Sequence, residues 1–96
     1  MFDIMMKFDN YKYKLVLIHT NSLKMSIDER IININKDDID NLYRILRYFD
    51  NNTFSNMLDP ISYYITIGDS VTYEGNSSSN KYFKLLNDWI GDINGR

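Results

Sequence analysis

Residues 34–50 read INKDDIDNLYRILRYFD, and this stretch predicts a helix whose start and apolar face can both be recognised. Asn35 is a favourable N-cap residue, and Asp38 stands at the third helical position, where its carboxylate can accept a hydrogen bond from the N–H of the cap. Apolar residues then recur at the spacing of one helix face: Ile39, Leu42, Tyr43, Leu46 and Phe49. We therefore expect a helix over residues 35–50 that buries this face against a sheet.

The chain before this helix predicts a three-stranded antiparallel meander over residues 1–27. Apolar and polar residues alternate, and Asp9-Asn10 suits a tight two-residue turn that would pair Met6 with Tyr13. The expected inner face then holds Phe2, Ile4, Met6, Phe8, Tyr11, Tyr13, Leu15, Leu17, Leu23, Met25 and Ile27. Three charged residues at 28–30 interrupt the alternation, which predicts a bulge or bend before the helix.

The chain after this helix predicts a hairpin and a second helix. In the hairpin, residues 61–73, a three-residue loop at 68–70 pairs Ile67 with Val71 and keeps the apolar residues on one face. Residues 74–80 predict a polar linker. The second helix, residues 80–91, ends at Gly91 and buries Tyr82, Phe83, Leu86, Trp89 and Ile90.

Two shorter stretches complete this description. Residues 54–58 predict a short helical turn or a tucked loop, because three of their five residues are apolar. Residues 92–96 are expected to fray beyond the second helix.

The fold class that follows is α+β, with elements in the order βββαββα and both helices on one side of the sheet. A chain of 96 residues suits one domain, residues 1–96, because two domains of half this size would each bury too little surface. We expect its core to bring together Leu42, Leu46, Leu15, Ile65 and Trp89.

Composition restricts the class of protein. The chain has no cysteine, which suits a reducing cytoplasm. The sequence shows no basic segment of a signal peptide and no apolar run of membrane-spanning length, so we expect a cytoplasmic protein with no membrane partner. The formal net charge of −2 is too small to indicate a nucleic-acid binder. Ile, Asn, Tyr and Lys make up 40 of the 96 residues, a bias typical of AT-rich coding sequence in low-GC bacteria and their phages.

The expected register of the meander places four of the seven lysines on its outer face, with Lys7 opposite Lys12. Apolar residues ringed by cations on an exposed sheet are typical of a protein-docking patch. Lysine on a solvated sheet also protects against aggregation, and this alternative stays open. The candidate binding residues are Lys7, Lys12, Lys14, Val16, Ile18 and Lys24.

Candidate catalytic and metal-binding residues are few. His19 lies at a strand end beside hydroxyl side chains, but no acid is placed to orient it, so a turn histidine is the preferred interpretation. Asp37, Asp38 and Asp40 could hold Mg²⁺ or Ca²⁺, yet helical spacing splays their carboxylates. Stabilisation of the helix start explains all three. We therefore expect no enzyme activity, no cofactor and no bound metal.

For function we expect a small non-enzymatic binding protein whose partner is another protein. The more specific hypothesis is an anti-CRISPR-like inhibitor, encoded by a phage or a mobile element, that blocks a nucleic-acid-handling protein of host defence. Two alternatives belong to other classes: a nucleic-acid-binding regulator that uses the lysine face, and a small enzyme or toxin built around His19. A steep fall of affinity with salt would favour the regulator. Loss of turnover on His19→Ala would favour the enzyme.

Overall fold

A computed structural model describes residues 3–49, 60–69 and 71–96 of the chain. In chain order the elements of these residues are β1 Ile4–Asp9, β2 Leu15–His19, β3 Lys24–Ile27, β4 Arg30–Asn33, α1 Lys36–Leu46, β5 Ser62–Ile67, β6 Val71–Asn76 and α2 Phe83–Asn94. The strands form one antiparallel sheet in the order β4-β3-β2-β1-β5-β6. The α+β class is therefore confirmed, and β4 is a strand that the sequence reasoning missed.

Both helices pack on one face of the sheet, here called the inner face. The fully buried residues of this face are Ile4, Met6, Val16, Ile18, Met25 and Ile65. The helices bury against them Leu42, Leu46, Leu86, Trp89, Ile90 and Ile93. The predicted core is thus confirmed except at Leu15, which is half-buried on the opposite face, here called the outer face.

Helix α1 begins as the sequence predicts. Asp38 N donates to Asn35 Oδ1 and Asn35 N donates to Asp38 Oδ2, each at 2.9 Å, which is a complete capping box. The helix ends at Leu46 rather than at residue 50, although Phe49 is still buried after the turn that follows. Tyr43 was expected on the buried face, but it is 38% exposed.

The register of β1 and β2 differs from the prediction by three residues. Met6 lies opposite Val16 rather than Tyr13. An odd shift of register exchanges the two faces of a strand. Val16 and Ile18 therefore point into the core and are 0% exposed, whereas Leu17 faces outward.

The cause of this register is a longer connection over residues 10–14. Phe8 N donates to Lys14 O at 3.0 Å and closes the loop. The side chain of Asp28, in the turn between β3 and β4, accepts hydrogen bonds from the N–H groups of Lys14 and Leu15 at 2.8 and 2.9 Å. A carboxylate from the neighbouring turn therefore sets where β2 begins.

The two tyrosines of this loop pack against α2 instead of pairing in a strand. The ring of Tyr11 lies 5.7 Å from that of Phe83, and its hydroxyl donates to Asn87 Oδ1. Tyr13 Oη accepts from Asn94 Nδ2 at 3.1 Å. Burial raises the pKa of Tyr11 to about 12. These contacts attach the loop to the second helix.

Asp28 and Glu29 form a hairpin turn and Arg30 begins β4, where the sequence predicts a bulge or bend. Ile27 lies opposite Arg30, and the first residue of the turn has a φ of 54°. The chain then returns as β4. This return directs Ile32 and Ile34 toward the helices, where both are buried as expected.

The hairpin of β5 and β6 has the predicted register, with Ile67 opposite Val71. Gly68, the first residue of its loop, has a φ of 57°, a backbone conformation that glycine adopts without steric cost. Strand β6 continues to Asn76, so the polar linker is shorter than expected. The predictions for residues 54–58 and for Phe2 lie outside the described residues.

Helix α2 continues three residues beyond Gly91, where the sequence predicted its end. The guanidinium of Arg96 donates two hydrogen bonds of 2.6 Å to the carboxylate of Asp38. Arg30 donates to the carbonyl oxygens of Asn94 and Arg96 at 2.7 and 2.9 Å. The expected fraying is therefore wrong, because this last turn is bound both to the start of α1 and to β4.

Gly91→Ala is expected to stabilise the protein by about 0.5 to 1 kcal/mol, because glycine inside a helix loses more backbone entropy than alanine. A Cβ at Gly91 would have nothing within 4 Å among the described atoms outside its own helix backbone. The midpoint of urea unfolding measures the gain. Gly95→Ala is the control with a smaller expected gain, because Gly95 is the C-cap and lies outside the helix interior. A lower midpoint for Gly91→Ala would contradict this packing.

Candidate docking surface

The outer face of the sheet is the candidate functional site, because neither described helix covers it. The strand registers align its side chains in a row across all six strands: Ile31, Ser26, Leu17, Met5, Thr66 and Thr72. A second row follows one pleat away: Leu15, Lys7, Tyr64 and Glu74. The outer face is therefore a continuous surface and not a set of isolated side chains.

The apolar residues of this face extend from the edge strand β4 to its middle strands. Ile31 is 70% exposed and Tyr64 is 37% exposed, while Met5, Leu15 and Leu17 are half-buried among their neighbours. By the strand registers Met5 and Leu17 are direct neighbours, whereas Ser26 separates Leu17 from Ile31 and Lys7 separates Leu15 from Tyr64. Several apolar residues gathered on one side of a domain indicate an interaction surface more often than single scattered ones do. We call these five residues the apolar centre.

Two shallow grooves flank the apolar centre. One has a volume of about 480 Å³ and lies beside β3 and β4, where Leu17, Lys24 and Ile31 line it. The other has a volume of about 300 Å³ and lies beside β1, β5 and β6, where Lys7 and Tyr64 line it. A partner surface could place a side chain in each groove.

The charges of the outer face are mixed in sign. Lys7 and Lys24 are exposed on it, but so is Asp9, and Glu74 lies beside Tyr64. Lys24 Nζ donates to Asn33 Oδ1 at 2.5 Å and therefore leans toward the edge strand β4. The face lacks the single-sign field that attracts a phosphate backbone.

One polar atom in the row is unpaired. The side-chain oxygen of Thr66 is buried between its neighbours and has no hydrogen-bond partner in the described part of the chain. A buried hydroxyl without a partner destabilises a protein by about 1 to 3 kcal/mol.

The predicted site residues are only partly brought together. Lys7 and Lys24 lie on the outer face as expected. Lys12 and Lys14 lie in the loop between β1 and β2, where Lys12 Nζ stands 5.3 Å from the centre of the Tyr13 ring. Predicting Val16 and Ile18 as exposed centres of the patch is wrong, because both side chains are 0% exposed on the inner face.

The residues that the sequence reasoning missed are Leu15, Leu17, Ile31 and Tyr64. Strand β2 is apolar at four consecutive positions, so alternation alone does not tell which residues face the helices. Ile31 follows the bulge or bend predicted at residues 28–30, and the sequence predicts no further strand of the sheet there. Asp28 is the residue that could have indicated a turn at this point, because a short polar side chain at a turn can accept backbone hydrogen bonds.

The alternative candidate residues His19 and Asp38 each have an oppositely charged or acidic neighbour, and the expectation that no acid lies near His19 is wrong. His19 Nδ1 lies 3.7 Å from Asp3 Oδ2, with both side chains largely exposed to water. The carboxylate of Asp38 is occupied by the N–H of Asn35 and the guanidinium of Arg96. Within residues 3–49, 60–69 and 71–96, no cluster of three His, Cys, Asp or Glu side chains has the geometry of a metal site.

The described residues contain no helix that is both long and apolar enough to cross a bilayer. Comparisons of the chain with protein-family models, curated proteins and solved structures return no match.

Proposed function

We propose that this protein is a small protein-binding module that docks through the outer face of its sheet. The observation that supports the proposal is the apolar row of Ile31, Leu17 and Met5, which crosses a face that no described helix covers. Protein interfaces typically have an apolar centre and a polar, charged rim. The apolar centre would be buried by the partner, while Lys7 and Lys24 would remain at the rim.

A protein partner fits this face better than a nucleic acid does. Phosphate contacts need several cations along one track, and affinity then depends steeply on salt. Of the four candidate lysines, Lys12 and Lys14 lie in a loop, and Lys7 shares the face with Asp9 and Glu74. The separated lysines and the mixed charge therefore favour an apolar protein surface with a mixed rim.

The more specific proposal is that the chain acts in the cytoplasm as a phage or mobile-element inhibitor of a host defence protein. Its support is the small size, the AT-rich composition and the exposed apolar residues of the docking face. An inhibitor of this kind needs only to occupy a surface of its target, which a rigid sheet face can do without chemistry.

The proposal is tested by capture from a lysate of a low-GC bacterium with three tagged proteins: wild type, Leu17→Asp and Leu85→Asp. Leu17 lies in the apolar centre, whereas Leu85 is a 44% exposed leucine on α2, away from the sheet. A charge at the centre of an interface typically weakens binding far more than a charge elsewhere on the surface. We expect wild type and Leu85→Asp to retain the same protein, and Leu17→Asp to lose it.

Calorimetry with the purified partner then gives the affinities. A partner that binds Leu17→Asp as tightly as wild type contradicts the outer face as the docking surface. Capture of nucleic acid alone, with affinity falling steeply as salt rises, contradicts the protein-binding function itself.

A further inference from the structure

Strand β4 has an edge whose backbone groups are not used by the sheet. Ile34 N donates to Leu23 O at 3.0 Å, which marks a hydrogen-bonded pair between the segments of β3 and β4. Bonded and non-bonded pairs alternate along an antiparallel ladder. Asn33 and Ile31 therefore belong to non-bonded pairs of this ladder, and their N–H and C=O groups point away from β3. In the part of the chain that the structure describes, no strand lies on that side.

This edge is apolar as well as open. Ile31 is the most exposed large apolar residue of those described. Strand edges are commonly protected by proline, a bulge or a charged side chain, and β4 contains neither a proline nor a bulge. Its one charged residue, Arg30, is held on the inner face by the carbonyl oxygens of Asn94 and Arg96. The short length of β4 is its remaining protection.

We propose that β4 pairs antiparallel with β4 of a second copy of this chain, about a two-fold axis that passes beside Ile31. The two Ile31 residues would then lie opposite each other and exchange a pair of backbone hydrogen bonds. Such an interface is self-complementary, as closed dimers require. The two sheets would join into one, with both outer faces on the same side.

The charges beside Ile31 support a second copy as the partner. Glu29 is the turn residue directly before β4, and in this register that turn of one copy would face Asn33 of the other, which is the neighbour of Lys24 on β3. Strands are spaced about 4.8 Å apart, so the backbones of Glu29 and Lys24 across the dimer would be separated by about 10 Å. Lys24 Nζ already reaches Asn33 Oδ1 at 2.5 Å, toward the edge. The two-fold axis would bring these opposite charges near each other twice.

The apolar row gives a second argument. The row of Ile31, Leu17 and Met5 ends abruptly at the edge of the monomer with its most exposed member. Pairing through β4 would continue it into the same row of the second copy. This pairing goes beyond the proposed docking function and does not depend on it, because it uses the edge of the sheet rather than its face.

The first test removes the outward N–H of β4 without disturbing the bonds to β3. Ile31→Pro does this, since proline is tolerated at an edge position whose N–H faces solvent. Thr72→Pro is the matched control on the opposite edge: Ser77 N donates to Ile61 O, so Thr72 of β6 also points its N–H outward. Sedimentation velocity over a range of concentrations should show reversible dimers for wild type and Thr72→Pro. Ile31→Pro should dimerise about tenfold more weakly or not at all.

The second test reverses the charges. Glu29→Lys and Lys24→Glu should each weaken the dimer by about fivefold, because each places like charges across the interface twice. The double variant restores opposite charges across the two-fold axis and should recover wild-type dimerisation. Circular dichroism and thermal unfolding of each variant show that its fold is intact.

The third readout needs no variant. Amide hydrogen exchange of Ile31 and Asn33 should slow as the concentration of wild-type protein rises, while that of Thr72 stays constant. A wild-type protein that remains monomeric with constant exchange at these amides overturns the proposal. Dimers that Ile31→Pro leaves intact, or that the double charge variant does not restore, also overturn it.

Discussion

Val16→Asp is expected to unfold the protein, whereas Leu17→Asp, one residue further along β2, is expected to leave it folded. Val16 is 0% exposed within the buried apolar cluster, and its neighbours across the sheet, Met6 and Ile27, are both apolar. A charge buried without a partner belongs to the most destabilising class of substitution, at about 4 kcal/mol or more. That loss approaches the lower end of the total stability of about 5 to 14 kcal/mol for a domain of this size.

Leu17→Asp serves as the matched variant because its side chain lies on the outer face, where a carboxylate keeps its contact with water. Its expected effect is less than about 1.5 kcal/mol, from the lost half-burial of one leucine. Far-ultraviolet circular dichroism and urea unfolding measure both variants. A folded Val16→Asp with an unfolded Leu17→Asp would mean that the two faces of β2 are exchanged, as in the register first expected from the sequence.

Asp38→Ala is expected to destabilise the protein by about 2 to 3 kcal/mol. The substitution removes half of the capping box of α1 and the acceptor of two charge-assisted hydrogen bonds from Arg96. The side chain of Asp38 is only 10% exposed, so water replaces these contacts poorly. Asp40→Asn on the exposed side of the same helix is the control, with an expected cost of a few tenths of a kcal/mol through the helix dipole.

The same contact predicts a dependence of stability on pH. The hydrogen bonds from Arg96 hold the pKa of Asp38 below its ordinary value. A carboxyl group whose pKa is lowered by folding stabilises the protein above its unfolded pKa of about 3.9, and this stabilisation is lost as the pH falls through the folded pKa. The unfolding free energy of Arg96→Met should therefore be lower than that of wild type, with the largest difference at neutral pH. This difference should shrink below about pH 4. A difference that is constant from pH 7 to pH 2 would contradict this linkage.

The parts of the fold that the sequence predicted correctly are those with a local signal. The start of α1 depends on Asn35 and Asp38, three residues apart, and the register of β5 and β6 depends on a loop of three residues. In both cases the deciding atoms are close in the chain. Local hydrogen bonds and alternation are then sufficient.

The predictions were wrong where a residue distant in the sequence determines where a strand begins or a helix ends. Asp28 determines the start of β2 through the N–H groups of Lys14 and Leu15, and Asp38 keeps α2 helical beyond Gly91 through Arg96. Neither partner is recognisable from spacing in the sequence. The first of these errors also affected the candidate site. Because the two faces of β2 were exchanged, the outward-facing residues are Leu15 and Leu17 rather than Val16 and Ile18.

The central position of β1 has a consequence for how the protein is made. During synthesis β1 can pair at once with β2, but its other edge stays open until β5 has been translated, since Met6 lies opposite Ile65. At ribosomal rates this interval is on the order of several seconds. The sheet is complete only when β1 pairs with β5, which is distant in the sequence, and such long-range pairing is slow. During this interval the open edge of β1 can pair with a strand of another nascent copy instead of with β5, and such pairing leads to aggregation.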